Sequence, residues 1–226
     1  MKMIGKQGMD RPRLLIGSKN YSSWSLRGWL MARIAGLDCS EEAVPLNDPA
    51  HRAEVLLLSP SILVPTLFHN GIRIWDPLAI GEYLNELNPA AGLLPAEPAL
   101  RAWCRSICCE MHAGFHRLRT TCPMNIRGRA LPGYDPYVTA GNDIERIFSI
   151  WDECIAASGG PFLFGAPTMA DAMYAPVVLR FSTYRIRLDG MSQAYSDRIL
   201  SWEPMVEWID AAMNEVEEDL EFEGEF

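Results

Sequence analysis

Two apolar runs, Val64-Pro65-Thr66-Leu67-Phe68 and Ile72-Arg73-Ile74-Trp75, stand on either side of His69-Asn70-Gly71. Asn-Gly suits the positive-φ positions of a tight reversal, so the two runs are predicted to pair as a β-hairpin. A lone hairpin is not stable, and its apolar face must be covered by neighbouring elements. The preceding sequence offers candidates. Arg13-Leu14-Leu15-Ile16-Gly17 reads as a short buried strand, followed by a polar loop over 18–22. Leu26, Trp29, Leu30, Ile34 and Leu37 then recur at helical spacing, with serines able to cap the helix and Gly36 able to end it. Residues 41–46 read as a second strand, and Ile80, Tyr83, Leu84 and Leu87 as a helix that stops before Pro89. Residues 12–90 are therefore predicted to form a small α/β layer with a mixed four-stranded sheet.

Residues 88–98 are rich in Pro, Ala and Gly and read as a boundary. From 98 to 226 every pattern is helical. Trp103, Ile107, Met111, Gly114 and Leu118 are predicted to share one helix face, and Ile144, Ile147, Phe148, Trp151, Cys154 and Ile155 a cleaner one. Thr168-Met169-Ala170-Asp171 introduces Met173, Val177, Val178 and Phe181. Met205, Ile209, Ala212, Met213 and Val216 close the series.

Composition narrows the function. The net charge of −9 is uneven, because seven acids fall within residues 215–226, which read as a solvated terminus. The remainder has no broad basic excess, which argues against nucleic acid as the main partner. Residues 1–13 are basic, but no long apolar stretch follows them, so neither a secretory leader nor a membrane span is predicted and a cytoplasmic protein is expected. The six cysteines are then read as reduced thiols. Cys104, Cys108, His112 and His116 fall at steps of four. Twelve helical residues span about 18 Å, so one metal cannot take all four, and packing is the expected role; no metal is predicted.

Three segments together resemble the glutathione S-transferase superfamily. Ser22-Ser23-Trp24-Ser25-Leu26-Arg27, at the strand-to-helix turn, resembles the Ser-Ser-Cys-Ser-x-Arg motif of zeta-class and related bacterial serine-type members. Ser59-Pro60 followed by Val64-Pro65-Thr66-Leu67 is similar to the family's Asn/Ser-Pro…Val-Pro-x-Leu signature, in which the proline is cis. Trp75-Asp76-Pro77-Leu78-Ala79-Ile80 is similar to the Glu/Asp-Ser-x-Ala-Ile motif that opens a helix. Phe162-Leu163-Phe164-Gly165 with Thr168 and Asp171 resembles the family's hydrophobic staple and buried capping box. The resemblance implies a thioredoxin-like N-terminal domain, an all-helical C-terminal domain and a homodimer. It further implies glutathione as co-substrate and a small electrophile as its partner in reaction.

Such an enzyme lowers the pKa of the glutathione thiol with a hydroxyl at a helix N-terminus. The motif places Ser22 first and Ser23 second for that role; either can also cap the helix. Tyr21 lies inside the serine motif and is expected to pack. Trp24 replaces the zeta-class cysteine, which disfavours thiol exchange. Val64 and Pro65 are expected to offer backbone groups to the cysteinyl part of glutathione. Asp76 and Pro77 occupy the γ-glutamyl site, where the family has a serine after the acid. Proline supplies neither its hydroxyl nor its N–H, a loss of about 1.5–3 kcal/mol for a charged hydrogen bond. Met111, His112, Phe115, His116 and Arg119 are candidates for the electrophile wall, with Arg119 and Arg127 suited to an acidic co-substrate. The competing reading is a non-catalytic binding or scaffold protein whose glutathione site Pro77 has impaired.

Overall fold

A computed structural model of the chain describes residues 11–44 and 64–216. Ser59-Pro60, positions 45–46 of the second predicted strand, residues 1–10 and the acidic stretch beyond 216 lie outside the described residues.

The elements run β1 (Arg13–Ile16), α1 (Ser23–Ile34), β2 (Ser40–Ala43), β3 (Thr66–His69), β4 (Ile72–Trp75) and α2 (Pro77–Leu87). A 3-10 turn over Pro89–Ala91 leads to α3 (Pro98–Ala113), α4 (His116–Thr121) and α5 (Tyr137–Ser158). α6 (Met169–Thr183), α7 (Gly190–Leu200) and α8 (Glu203–Met213) follow. The strands form one sheet in the order β2-β1-β3-β4, with β1 and β2 parallel and the other pairs antiparallel. The hairpin forms as the sequence predicts: Thr66 pairs with Trp75 and His69 with Ile72, and Asn70 (φ 52°) and Gly71 (φ 74°) make the reversal. This is a thioredoxin-like layer followed by helices, the predicted fold class.

Alternation along β1 explains the layering. Leu14 and Ile16 point into the main core with Leu26, Trp29, Leu30, Ile80 and Leu84, while Leu15 points the other way to Val44, Val64 and Phe68. α1 lies against α2 on one side and α6 on the other. α6 is buried along its whole length except at Ser182, as a helix apolar on all sides must be. Its start is fixed by Asp171, whose carboxylate accepts from Thr168 N (2.8 Å), Thr168 Oγ1 (2.9 Å), Leu163 N (3.0 Å) and the Tyr195 hydroxyl (3.2 Å). The predicted capping box is therefore present. Burial pushes the Asp171 carboxyl up to about 6, against the pull of those four donors.

Three expectations are corrected. The stripe from Trp103 to Leu118 does not lie on one helix: α3 ends at Ala113, Gly114 is extended, and Phe115 turns left-handed (φ 58°) before α4 begins. Apolar spacing carries across the break because Met111, Phe115 and Leu118 all still face the core. The closing stripe is shorter than predicted, since Met205 and Ala212 are buried but Met213 and Val216 are exposed. The terminus is also not solvated throughout. Glu215 is half-buried, and its carboxylate is bonded to the loop before α1.

Candidate functional site

The site grows from the two turns that end β1 and β4. Ser22 is the N-cap of α1: its Oγ accepts from Ser25 N (3.3 Å), and its hydroxyl donates to Ser25 Oγ (2.8 Å). Ser25 Oγ also accepts from Gly17 N (2.9 Å), which ties the helix start to the end of β1. Ser23 is buried one residue further on. Its oxygen lies 3.2 Å from Arg180 Nη2 and 3.5 Å from Arg27 Nη1.

The surroundings of Ser23 are cationic. Arg27 is 1% exposed and donates to Met173 O (2.9 Å). Arg180 donates to the Cys122 carbonyl, and Arg119 to the carbonyls of Met111 and His112. Among the described residues none of these three guanidiniums has a carboxylate within ion-pair distance. Burial pulls Arg27 well below the usual arginine range, and Arg180 and Arg119 add to the effect; burial likewise brings Arg180 down to about 10. Trp24 caps the group, with Arg27 4.5 Å and Arg119 4.9 Å from its ring centroid. An anion placed at the start of α1 would meet this cluster of positive charge and the positive end of the helix together.

The second turn carries Asp76, held at φ 76°. Asp76 Oδ1 accepts from Leu78 N (2.8 Å) and Ala79 N (3.5 Å), which caps α2, and Pro77 takes the first helical position. Its other oxygen, Oδ2, lies 2.6 Å from His112 Nε2 on α3. Val64 precedes Pro65 through a cis peptide bond, as the sequence motif implies. The Pro65 ring sits on Gly28 of α1 so closely that a Cβ there would lie 2.6 Å from Pro65 Cγ.

A cavity of about 280 Å³ opens between these parts, lined by Trp24, Val64, Trp75, Asp76, Pro77 and His112. It joins three of the four residues predicted for glutathione with one predicted for the electrophile. The other predicted residues are placed around it. Pro65 is buried behind Val64, and Ser22 and Ser23 stand at the start of α1 next to Trp24. Met111 and Phe115 are in the core, and His116 is exposed on α4. Arg119 is engaged with backbone carbonyls, and Arg127 donates to Glu215 O (2.9 Å). Trp75, Arg180 and Glu215 are not among the predicted site residues; Trp75 opens the segment that resembles the helix-opening motif, whereas Arg180 lies on α6 and Glu215 beyond α8, both far along the chain.

A larger hollow of about 370 Å³ lies along the hairpin, lined by residues such as Arg13, Phe68 and Arg73, and holds none of the candidates. All six cysteines are unpaired thiols, and burial pushes Cys122 and Cys154 up to about 12. No three metal-ligating side chains converge among the described residues. No helix among them is long and apolar enough to cross a membrane.

Comparison with known proteins bears on the family and the fold. The glutathione S-transferase N-terminal domain model matches residues 21–87, and the C-terminal domain model residues 136–211. Maleylacetoacetate isomerase of Rhizobium meliloti (strain 1021) is 33% identical over 172 residues, covering 70% of this chain and 78% of that protein. The maleylacetoacetate isomerase of Rattus norvegicus is 28% identical over 186 residues, covering 79% and 82%. Among solved structures, holo maleyl pyruvate isomerase, described as a bacterial glutathione S-transferase of the Zeta class, superposes with a TM-score of 0.68. It is 23% identical, and the match covers 88% of this chain and 97% of that one. A glutathione transferase homolog from Burkholderia with bound glutathione gives a TM-score of 0.67 at 22% identity, covering 90% and 98%.

Proposed function

The chain belongs to the glutathione S-transferase family, and from that premise we propose that it binds glutathione in the cavity beside Trp24 and uses the thiolate on a small electrophile. The carrying observation is the convergence of Val64, Asp76 and His112 on one cavity at the first turn of α1. The cysteinyl backbone lies along Val64, and the thiol meets the start of α1. Ser22 remains the first assignment for the thiol contact, because it is half-buried where Ser23 is enclosed and held by Arg27 and Arg180. When Ser25 turns its own proton toward Ser22, the Ser22 hydroxyl is left to donate to sulfur. The three guanidiniums behind Ser23 favour the thiolate further.

The reaction class follows the relatives' names: reversible addition of the thiolate to a conjugated cis double bond, rotation about the resulting single bond, and elimination that returns glutathione. Conjugation of small apolar electrophiles, as in detoxification, is the other outcome of the same activated thiol. The working form is a cytoplasmic homodimer of chains divided at 12–90 and 98–226.

A second reading, a binding protein without catalysis, is favoured by Pro77, which brings neither hydroxyl nor N–H to the cavity. Calorimetric titration with glutathione, for the native protein and Pro77→Ser, separates the two. Sub-millimolar binding by the native protein together with isomerisation of maleylacetoacetate supports the enzyme. Binding only by the variant, with affinity raised by about ten- to a hundredfold, gives the second reading the lead. No binding by either removes glutathione from this cavity.

A further inference from the structure

The loop that delivers the serines of α1 is held by the far end of the chain. Glu215 lies just beyond α8, yet one oxygen of its carboxylate accepts from Lys19 N (2.8 Å) and the other from the Ser18 hydroxyl (2.7 Å) and Asn20 N (3.0 Å). Three donors on consecutive residues, one hydroxyl and two N–H groups, thus close around one carboxylate, a concave arrangement suited to an anion. Ser18 passes the order forward. Its Oγ accepts from Asn20 N (3.2 Å) and Tyr21 N (3.3 Å), and its carbonyl accepts from Ser22 N (2.8 Å).

Neighbouring contacts fix the same loop to the helical half. Trp208 Nε1 donates to Lys19 O (2.9 Å), and Asn20, fully buried, exchanges side-chain bonds with Asn125 (3.0 Å) and Arg127 N (3.0 Å). Arg127 in turn donates to the Glu215 carbonyl (2.9 Å), so the residue is held by backbone as well as side chain. No other carboxylate bonds the N–H groups of residues 18–20 among the described residues.

We infer that Glu215 is a positioning residue for thiol activation: it fixes the loop over 18–20 so that the N-cap hydroxyl of Ser22 is presented to the cavity at the start of α1. The inference rests on the proposed glutathione reading, and goes beyond it by giving a role to a residue outside the cavity. Glu215 touches no reacting atom. It acts through Ser18, and its effect is to set the position of a donor that must meet sulfur at hydrogen-bond distance.

The test compares the full-length native chain with Glu215→Ala and Glu215→Gln. Bound glutathione thiolate is followed by its ultraviolet absorbance against pH, alongside kcat, KM and amide exchange over residues 18–23. In Glu215→Ala the bound thiol is expected to titrate about half a unit to one unit higher, and kcat to fall about tenfold with a smaller change in KM. Loop amide exchange should quicken in parallel. Glu215→Gln keeps one acceptor oxygen and should recover part of each loss. A native-like thiol titration and kcat in Glu215→Ala would overturn the inference, even with a lowered Tm, because a structural tether alone does not shift the thiol. If the native chain itself shows no bound thiolate, the glutathione reading fails and this role for Glu215 falls with it.

Discussion

His112 Nε2 lies 2.6 Å from Asp76 Oδ2, so the carboxylate that caps α2 also reaches the helical half of the molecule across the cavity mouth. One side chain thereby satisfies a helix terminus and sets the distance between two walls of the site. The two functions separate under substitution. Asp76→Asn keeps a capping oxygen and a residue type that tolerates φ 76°, and should cost only a few tenths of a kcal/mol. Asp76→Ala loses the cap and strains the backbone, for about 1–2 kcal/mol. The pair itself adds little to stability, because its partners are 33% and 37% exposed, so His112→Gln should cost under about 1 kcal/mol. Urea unfolding of the three variants gives these values directly.

Ser22→Ala and Ser23→Ala should differ in kind. Removal of the Ser22 hydroxyl is expected to lower kcat by about ten- to a hundredfold, the worth of one hydrogen bond to a charged group. It also removes the N-cap of α1, at about 1 kcal/mol. Ser23→Ala leaves Arg27 and Arg180 facing each other without the shared oxygen, so stability should suffer more than kcat. Equal loss of kcat in both would assign the thiol contact to neither serine alone.

Gly28→Ala tests the seat of Pro65. The added methyl would sit 2.6 Å and 2.9 Å from two ring carbons of Pro65, which cannot rotate away. A cost of about 1–3 kcal/mol is expected from overpacking, with weaker glutathione binding as α1 and Val64 move apart. At Gly81 the same change would meet the sulfur ends of Met169 and Met31. These flexible chains can yield, and the cost should be smaller.

Asp171 should leave a pH signature. Its folded-state pKa is raised from 3.8 to about 6, with burial as the leading cause. The folded chain therefore binds more protons than the unfolded chain across this interval, and its contribution to stability falls as pH rises from about 4 to about 6. Asp171→Asn should flatten that part of the unfolding free-energy profile. It should also lower stability, by about 2–4 kcal/mol near pH 4 and by less above pH 6, because one face of the side chain can no longer accept from Thr168 N or Leu163 N.

What could be read from the sequence was mostly local. Asn70-Gly71 announces the hairpin because its backbone needs are met within two residues, and Thr168 with Asp171 announces a helix start for the same reason. The break at Gly114 and Phe115 was hidden, since core-facing apolar residues keep a helical rhythm through it. α7 was missed because its buried face is only Ser192, Tyr195, Ser196 and Ile199, too polar for an apolar stripe. Within the site, Val64, Asp76 and Pro77 could be placed by motif. Arg180 and Glu215 could not, because the contacts that matter to them lie 157 and about 196 residues away along the chain.

The bond between Glu215 and the loop at Ser18 also orders events during synthesis. The sheet and α1 have left the ribosome long before residue 215 is made, and at about 5–20 residues per second the wait is some ten seconds or more. A nascent chain in that interval can form its sheet while the loop at its first turn still lacks the carboxylate that closes it. A carboxylate translated late therefore completes a loop whose other residues were translated early.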